Sequence, residues 1–380
     1  MIRTYSKVQL ENILAKAFEG ERPAKPDIRT LLSMRDPDPL DMLFRTARSI
    51  RCRHFGSRVF LYGFLYFSTH CRNNCTFCHF RHHNASLPRY RKTADEVVSA
   101  ALAIADSGIH LLDLTMGEDP AYLQTGGDTE NPLCGLVEAV RKATGLPLMV
   151  SPGRVSDRTL ARLADIGADW YACYQETHNP LLFDSLRIGQ NFDTRMEVKR
   201  TAQKLGMFIE EGILCGVGET LDDIADSICK MRDQDADQVR VMSFVPQEGA
   251  PLAGGRGTDP LRELVTLAVM RLVLPDRLIP ASLDVDGLSG LKARLDSGAN
   301  VITSLIPPGN GLAGVANSSL DIEDSRRTVA GVMPVLTKCG LEPATLREYR
   351  DWLSLRHQRK HAGEDDGPAS FPSAGGGMAP

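Results

Sequence analysis

The chain holds 380 residues, 42% hydrophobic and 24% charged, the balance of a soluble, well-cored protein of one large domain or two ordinary ones. Its 44 basic and 48 acidic residues leave a formal charge of −4, which argues against a generic binder of nucleic acid or of a membrane surface and leaves room only for a local basic patch. No apolar run approaches the roughly 18–20 residues of a membrane-spanning helix, and the charged N-terminal segment MIRTYSKVQLENILAKAFEGE lacks the apolar core of a secretory signal, so the expectation is a cytoplasmic protein.

In chain order, KVQLENILAKAF and PLDMLFRTARSI repeat apolar residues at three- and four-residue spacing and read as helices. The Pro- and Asp-rich stretches ERPAKPDIRT and RDPDP connect them. From residue 58 to 345 one pattern recurs: a short apolar run, a polar loop, an amphipathic stretch. The strand-like runs are VFLYGFLYFS, HLLDLT, LPLMVS, WYACY, FIEEGILCG, VRVMSFV, LIPASLD and VITSLI. Helix-like stretches follow, from ADEVVSAALAIADSG to SRRTVAGVMPVLTKCG; several begin at Ser, Asp or Thr and end in Gly, the expected cap and stop. Eight alternations predict an α/β fold, a closed (β/α)8 TIM-type barrel. A doubly wound open sheet is the rival, disfavoured by the count and by the lack of a GxGxxG turn after the first strand. Residues 1–57 are then an N-terminal helical extension whose role the sequence leaves open, a cap on the lower end of the barrel being one guess. Residues 346–361 form a C-terminal helical end, and 362–380, rich in Gly, Pro and Ser, a disordered tail.

Nine cysteines over so long a chain make a poor disulfide framework. Cys52, Cys134, Cys173, Cys215, Cys229 and Cys339 are scattered, mostly in apolar surroundings, and read as small buried hydrophobes. Cys71, Cys75 and Cys78 instead fall in FSTHCRNNCTFCHF, directly after the first strand. In a barrel that loop lies on the catalytic face. Three thiolates at C-x3-C-x2-C spacing can wrap one metal centre, either an iron–sulfur cluster or a zinc ion with His79, His82 or His83 as fourth ligand. Position favours the cluster, because three cysteines leave one iron open.

C-x3-C-x-aromatic-C, with Phe77 as the aromatic, resembles the radical S-adenosylmethionine superfamily. The resemblance implies a [4Fe–4S] cluster held by Cys71, Cys75 and Cys78, its fourth iron chelated by S-adenosylmethionine. After the second strand, Met116-Gly117-Glu118-Asp119 is similar to the family's Gly-Gly-Glu element, with Met at the first glycine, whose backbone meets the methionine amino group. After the fifth, Gly212–Glu219 resembles the G-x-I-x-G-x-x-E element near the adenine, with Leu214 at the Ile position. More closely, FLYGFLYFSTHCRNNCTFC, DLTMGEDP, SPG, YQETHNPLLFDSLRIGQ, VRVMSFVPQEGAPL, RLIPASLD, DGLSGLKARLDSGANVITSLIPP and GVAN resemble the 3-methylornithine synthases, lysine mutases that open pyrrolysine biosynthesis. That likeness implies a radical isomerisation of L-lysine to (3R)-3-methyl-D-ornithine. A 5′-deoxyadenosyl radical from the cofactor does the chemistry, with no catalytic protein side chain. The alternative is another radical enzyme of the biotin synthase or hydrogenase-maturase type acting on a different amino acid.

Lysine carries one carboxylate and two ammonium groups, so its site needs a fixed cation and carboxylates. The strand-borne charges are read as Asp113 on the second strand, Arg240 on the sixth and Asp284 at the end of the seventh; buried, each requires an ionic mate. A plain pairing of Arg240 with one aspartate is the competing account. The resemblance implies Asp113, Ser151, Arg240, Ser282, Asp284, Thr303 and Ser304 around lysine. Arg240 would fork onto the carboxylate. It also implies Gly117, Glu118, Tyr174, Glu176, Arg187, Val245 and Gln247 around S-adenosylmethionine, although Glu176 and Arg187 equally suit a surface pair. A reducing electron-donor protein and a downstream pyrrolysine-pathway enzyme are the expected partners.

Overall fold

The computed structural model describes residues 6–86, 88–123, 131–306 and 327–362. The tail beyond 362 and the GVAN segment lie outside them. Three helices come first: α1 (Lys7–Glu19), α2 (Lys25–Leu32) and α3 (Pro37–Phe55). α2 occupies part of the stretch expected to be a connector. Pro26 stands in its first turn, where a missing N–H and a fixed φ suit a helix start, so proline there begins a helix.

The strands are β1 (Arg58–Ser68), β2 (Leu111–Met116), β3 (Leu148–Ser151), β4 (Trp170–Ala172), β5 (Phe208–Cys215), β6 (Gln238–Ser243), β7 (Pro280–Ser282) and β8 (Val301–Leu305). Between and after them run α4 (Ala94–Ala105), α5 (Pro120–Leu123), α6 (Pro132–Thr144), α7 (Asp157–Asp165), α8 (Pro180–Leu186), α9 (Phe192–Lys204), α10 (Leu221–Asp233), α11 (Pro260–Val273), α12 (Gly287–Asp296), α13 (Val329–Lys338) and α14 (Leu346–Ala362). The caps follow the local sequence. Thr93 and Thr220 form capping boxes with Glu96 and Asp223, and α1 and α6 end on left-handed Gly20 and Gly145.

These eight barrel strands are parallel, in the order β6-β5-β4-β3-β2-β1-β8-β7, and a ninth, two-residue strand (Glu342–Pro343) pairs with β1 off that path. The remaining seam closes through one parallel bridge, Gln238 to Leu278, with Val239 N donating to Leu278 O at 3.0 Å and Leu278 N to Asp237 O at 3.1 Å. The sheet is therefore a nearly closed barrel, not an open one.

Alternate residues of each strand point inward. The lowest layer is apolar: Phe60, Leu111, Met149, Trp170, Phe208 and Val301 pack with Tyr349, Trp352 and Leu353 of α14. Trp170 and Trp352 stack at 6.0 Å, and Tyr62 and Tyr349 share a hydroxyl hydrogen bond of 2.9 Å. The C-terminal helix thus plugs the amino-terminal end of the barrel. The N-terminal helices, whose place the sequence left open, pack on the flank, where Arg262 of α11 donates to Leu32 O at 2.8 Å and Arg51 to Leu295 O at 3.1 Å. Their apolar faces (Leu10, Leu14, Ile28, Leu31, Leu43, Ile50) belong to the same buried cluster as the barrel helices. With the lower end plugged, the described residues leave access at the carboxyl ends of the strands.

Candidate active site

One layer above the aromatic floor the inward positions turn polar. Asp113, Glu210 and Arg240 follow Leu111, Phe208 and Gln238 by one strand period. Glu210, absent from the charges read off the sequence, is the centre of this layer. Its carboxylate, fully buried, accepts from Arg240 Nε at 2.7 Å, Gln238 Nε2 at 2.6 Å and Tyr174 Oη at 2.7 Å. The competing account, a pairing of Arg240 with an aspartate, does not hold: its ionic partner is Glu210. Burial alone would lower the Arg240 pKa, but Glu210 and then Tyr174 outweigh it and the net shift is upward. Its Nη groups have no protein partner among the described residues, and the side chain borders the cavity above.

Glu211, the next residue, faces outward and pairs with fully buried Lys199. It serves the packing of α9 rather than the site. Asp284 is also occupied. Arg327, not foreseen, donates to it at 2.9 Å, with Ser282 Oγ at 2.9 Å and Ser304 Oγ at 2.7 Å. Burial raises its pKa, yet Arg327 and the two serines prevail and hold it below the usual carboxylate range. Asp113 differs. It accepts from Ser151 Oγ at 2.7 Å and forms no ion pair among the described residues. Burial first, and then the Glu210 charge, push its pKa up to about 7.

Above this layer a cavity of about 280 Å³ opens at the carboxyl ends of the strands. Cys71, Cys75, Cys78, Gly117, Glu118, Ser151, Tyr174, Glu176, Arg187, Arg240, Val245, Gln247, Ser282 and Asp284 all border it. Asp113 joins the group through Ser151. Thr303 and Ser304 do not border it: Ser304 acts on Asp284, and Thr303 Oγ1 is buried without a hydrogen-bond partner among the described residues. Both Glu176 and Ser304 adopt left-handed backbone (φ 68° and 67°), strain of a kind that collects at functional sites.

The cysteine loop is held from several sides. Arg89 donates to the carbonyls of Thr69, Phe80, Arg81 and Asn84. Thr76 N donates to Leu186 O at 2.8 Å, and Arg72 N to Glu118 O at 3.0 Å. Gly117 passes so close that a Cβ there would stand 2.3 Å from His70 O and 2.9 Å from Cys71 Cβ; only glycine fits. The Glu118 carboxylate is a clamp. It accepts from Arg72 at 2.9 Å, Arg195 at 3.2 Å and Arg154 N at 3.0 Å. Glu176 and Arg187 pair at 2.6 Å as a buried pair, not a surface one. In the loop after β5, Glu219 accepts from Gly216 N and Val217 N, closing the turn beside Leu214.

Burial, followed by the neighbouring sulfurs, pushes the Cys71 and Cys78 thiols up. The Cys71 and Cys78 thiolates are therefore favoured only beside a strongly cationic group. Among the described residues no three Cys, His, Asp or Glu side chains converge on a single ion. His82 Nδ1 contacts Cys71 O instead of completing a zinc site. A cluster spreads its cysteines over separate irons, and a trio bordering a cavity beside a free wall suits it.

Comparisons agree with this geometry. The radical SAM superfamily profile matches residues 65–228. The chain is 41% identical over 349 residues to the 3-methylornithine synthase of Methanosarcina barkeri, covering 92% of this chain and 98% of that one. It is 31% identical to the [FeFe] hydrogenase maturase subunit HydE of Thermotoga maritima over 72% of this chain and 78% of that one. The crystal structure of a methylornithine synthase superposes with a TM-score of 0.85 at 41% identity, covering 90% of this chain and 99% of that one. Lining residues, cysteine loop and relatives converge: the chain belongs to the 3-methylornithine synthase family of radical S-adenosylmethionine enzymes.

Proposed function

We propose that this protein is a radical S-adenosylmethionine isomerase converting L-lysine to (3R)-3-methyl-D-ornithine. The observation that carries the reading is the charge arrangement below the cysteines. Arg240 and Arg327 are each matched by one carboxylate, Glu210 and Asp284, and Asp113 is left over. A ligand with one carboxylate and two ammonium groups completes that set: its carboxylate on the Arg240 Nη groups, an ammonium on Asp113. The second ammonium lies toward Asp284.

Cys71, Cys75 and Cys78 hold the [4Fe–4S] cluster, and Gly117, Glu118, Tyr174, Glu176, Arg187, Val245 and Gln247 border the S-adenosylmethionine position. When bound, these cofactors would supply radical chemistry at the lysine chain. The protein's work is positioning and exclusion of water. The aromatic plug seals the barrel below, and Glu210 keeps Arg240 charged and its Nη groups aimed upward. Residues 58–345 carry this chemistry, with 1–57 and 346–361 as helical supports. An external low-potential electron donor, a downstream enzyme that consumes the product and a cytoplasmic setting belong to the same reading.

Anaerobically reconstituted protein, given dithionite, S-adenosylmethionine and uniformly labelled L-lysine, should form an isomer with lysine's mass and a new chromatographic retention time, together with 5′-deoxyadenosine. Deoxyadenosine without that isomer would transfer the reading to another amino acid. Neither product from cluster-loaded protein would defeat it.

A further inference from the structure

Gln190 lies just after left-handed Gly189 (φ 75°), on the turn between α8 and α9. Its Nε2 is 3.1 Å from Cys75 Sγ. Its Oε1 is 3.3 Å from Arg187 Nη1 and 3.4 Å from Arg195 Nη1. The orientation of an amide follows from its neighbours. Guanidiniums only donate, so the oxygen must face the two arginines and the NH2 must face the sulfur. Both arginines are themselves fixed: Arg187 on Glu176 at 2.6 Å and Tyr174 O at 3.1 Å, Arg195 on Glu118 at 3.2 Å and Tyr174 O at 2.8 Å. Arg187 Nη1 adds a longer contact to the same sulfur, 3.7 Å. Cys71 Sγ, by contrast, is met by backbone N–H groups, among them Asn73 N at 3.4 Å.

We propose that Gln190 tunes the reduction potential of the [4Fe–4S] cluster by donating a hydrogen bond to the ligand sulfur of Cys75. This rests on the family reading for the cluster but not on lysine as substrate. Reduction takes one electron from an external low-potential donor, converting the 2+ cluster to the 1+ state; no bond of the protein forms or breaks. The added charge spreads onto the ligand sulfurs. A fixed N–H dipole aimed at one of them stabilises the reduced state and raises the potential. Nothing in the sequence motifs marks Gln190 for this task; the fold brings it within reach of a cysteine 115 positions away.

The test is an EPR-monitored titration with dithionite on the reconstituted full chain, without S-adenosylmethionine or lysine, for the wild type, Gln190→Leu and Gln190→Glu. Leucine removes the donor. Glutamate still accepts from both arginines, which protects the packing, but turns a carboxylate oxygen toward the sulfur. At equal iron content, Gln190→Leu should lower the reduced-to-oxidised ratio at a given potential about tenfold, a negative shift of about 59 mV for a one-electron couple. Gln190→Glu should shift further the same way. Unchanged midpoints in both variants overturn the proposal, as does a positive shift in Gln190→Glu. If Gln190→Leu assembles no cluster, Gln190→Glu decides alone. A wild type that binds no cluster overturns this proposal and the family reading together. The expected shifts without lysine turnover support the proposal and overturn the proposed substrate alone.

Discussion

Replacing Glu210 by alanine removes the partner of a buried cation. Arg240 keeps its charge in the barrel interior, and Gln238 Nε2 and Tyr174 Oη lose their acceptor, bonds of 2.6–2.7 Å in the intact protein. Breaking a buried ion pair from one side costs about 3–5 kcal/mol. The two neutral donors can recover partners from water in the space left behind, so their loss of about 1–3 kcal/mol each is not added in full. At about 2–4 °C per kcal/mol, the unfolding midpoint of the cluster-free protein should fall by roughly 10 °C. Circular dichroism on heating, with urea titration for the free energy, measures both. The double variant Glu210→Leu/Arg240→Met removes both charges and should recover at least about half of the loss, while lysine binding stays lost because the carboxylate fork is gone. A Glu210→Ala cost below about 1 kcal/mol, the scale of one ordinary hydrogen bond, would refute the reasoning. So would a double variant no more stable than the single one.

Asp113 should make lysine binding and stability depend on pH. Its folded pKa of about 7 stands above an unfolded value of roughly 3.9. Its stabilising contribution is therefore fully present below about pH 4 and is lost as the pH rises through about 7. An ammonium favours the ionised form, so lysine binding should release a proton at about pH 6 and none at about pH 8; calorimetry in buffers of differing ionisation enthalpy reads this, and Asp113→Asn should abolish it. Gly117→Ala should push the cysteine loop away, since its Cβ would meet His70 O at 2.3 Å. Iron content should fall while far-ultraviolet circular dichroism is unchanged. Cys75→Ala should lose the brown chromophore and most of the four irons; a full cluster in that variant would contradict the ligand set.

The barrel strands were legible because buried parallel strands read as near-continuous apolar runs, and all eight runs became strands. The helices between them, apart from the short α5 and α8, announced themselves by caps and periodicity. α2 did not, because a proline reads as an interruption unless its place in the first turn is known. Most of the residues named for the pocket do meet at one cavity, since they sit at the carboxyl ends of strands whose order the alternation implies. Glu210 escaped notice as one of two adjacent glutamates in an apolar run. The period-two alternation was the available signal: one of the pair must face the barrel, and β5–β6 register then sets it diagonal to Arg240.

Arg195, Arg327 and Gln190 left no such trace. Each comes from a helix or loop remote in the chain from what it touches, and its role is a distance rather than a pattern. The sequence by itself determined the architecture and the cysteine loop, because periodicity, capping and ligand spacing are local properties, and the chemistry that loop serves came from the family resemblance its motifs carry. Only the tertiary structure decided which charges cancel and which remain. Burial makes every unpaired charge costly, and whether a carboxylate is matched depends on closing the barrel around it, which among the described residues leaves Asp113 without a cation while Asp284 and Glu210 have theirs.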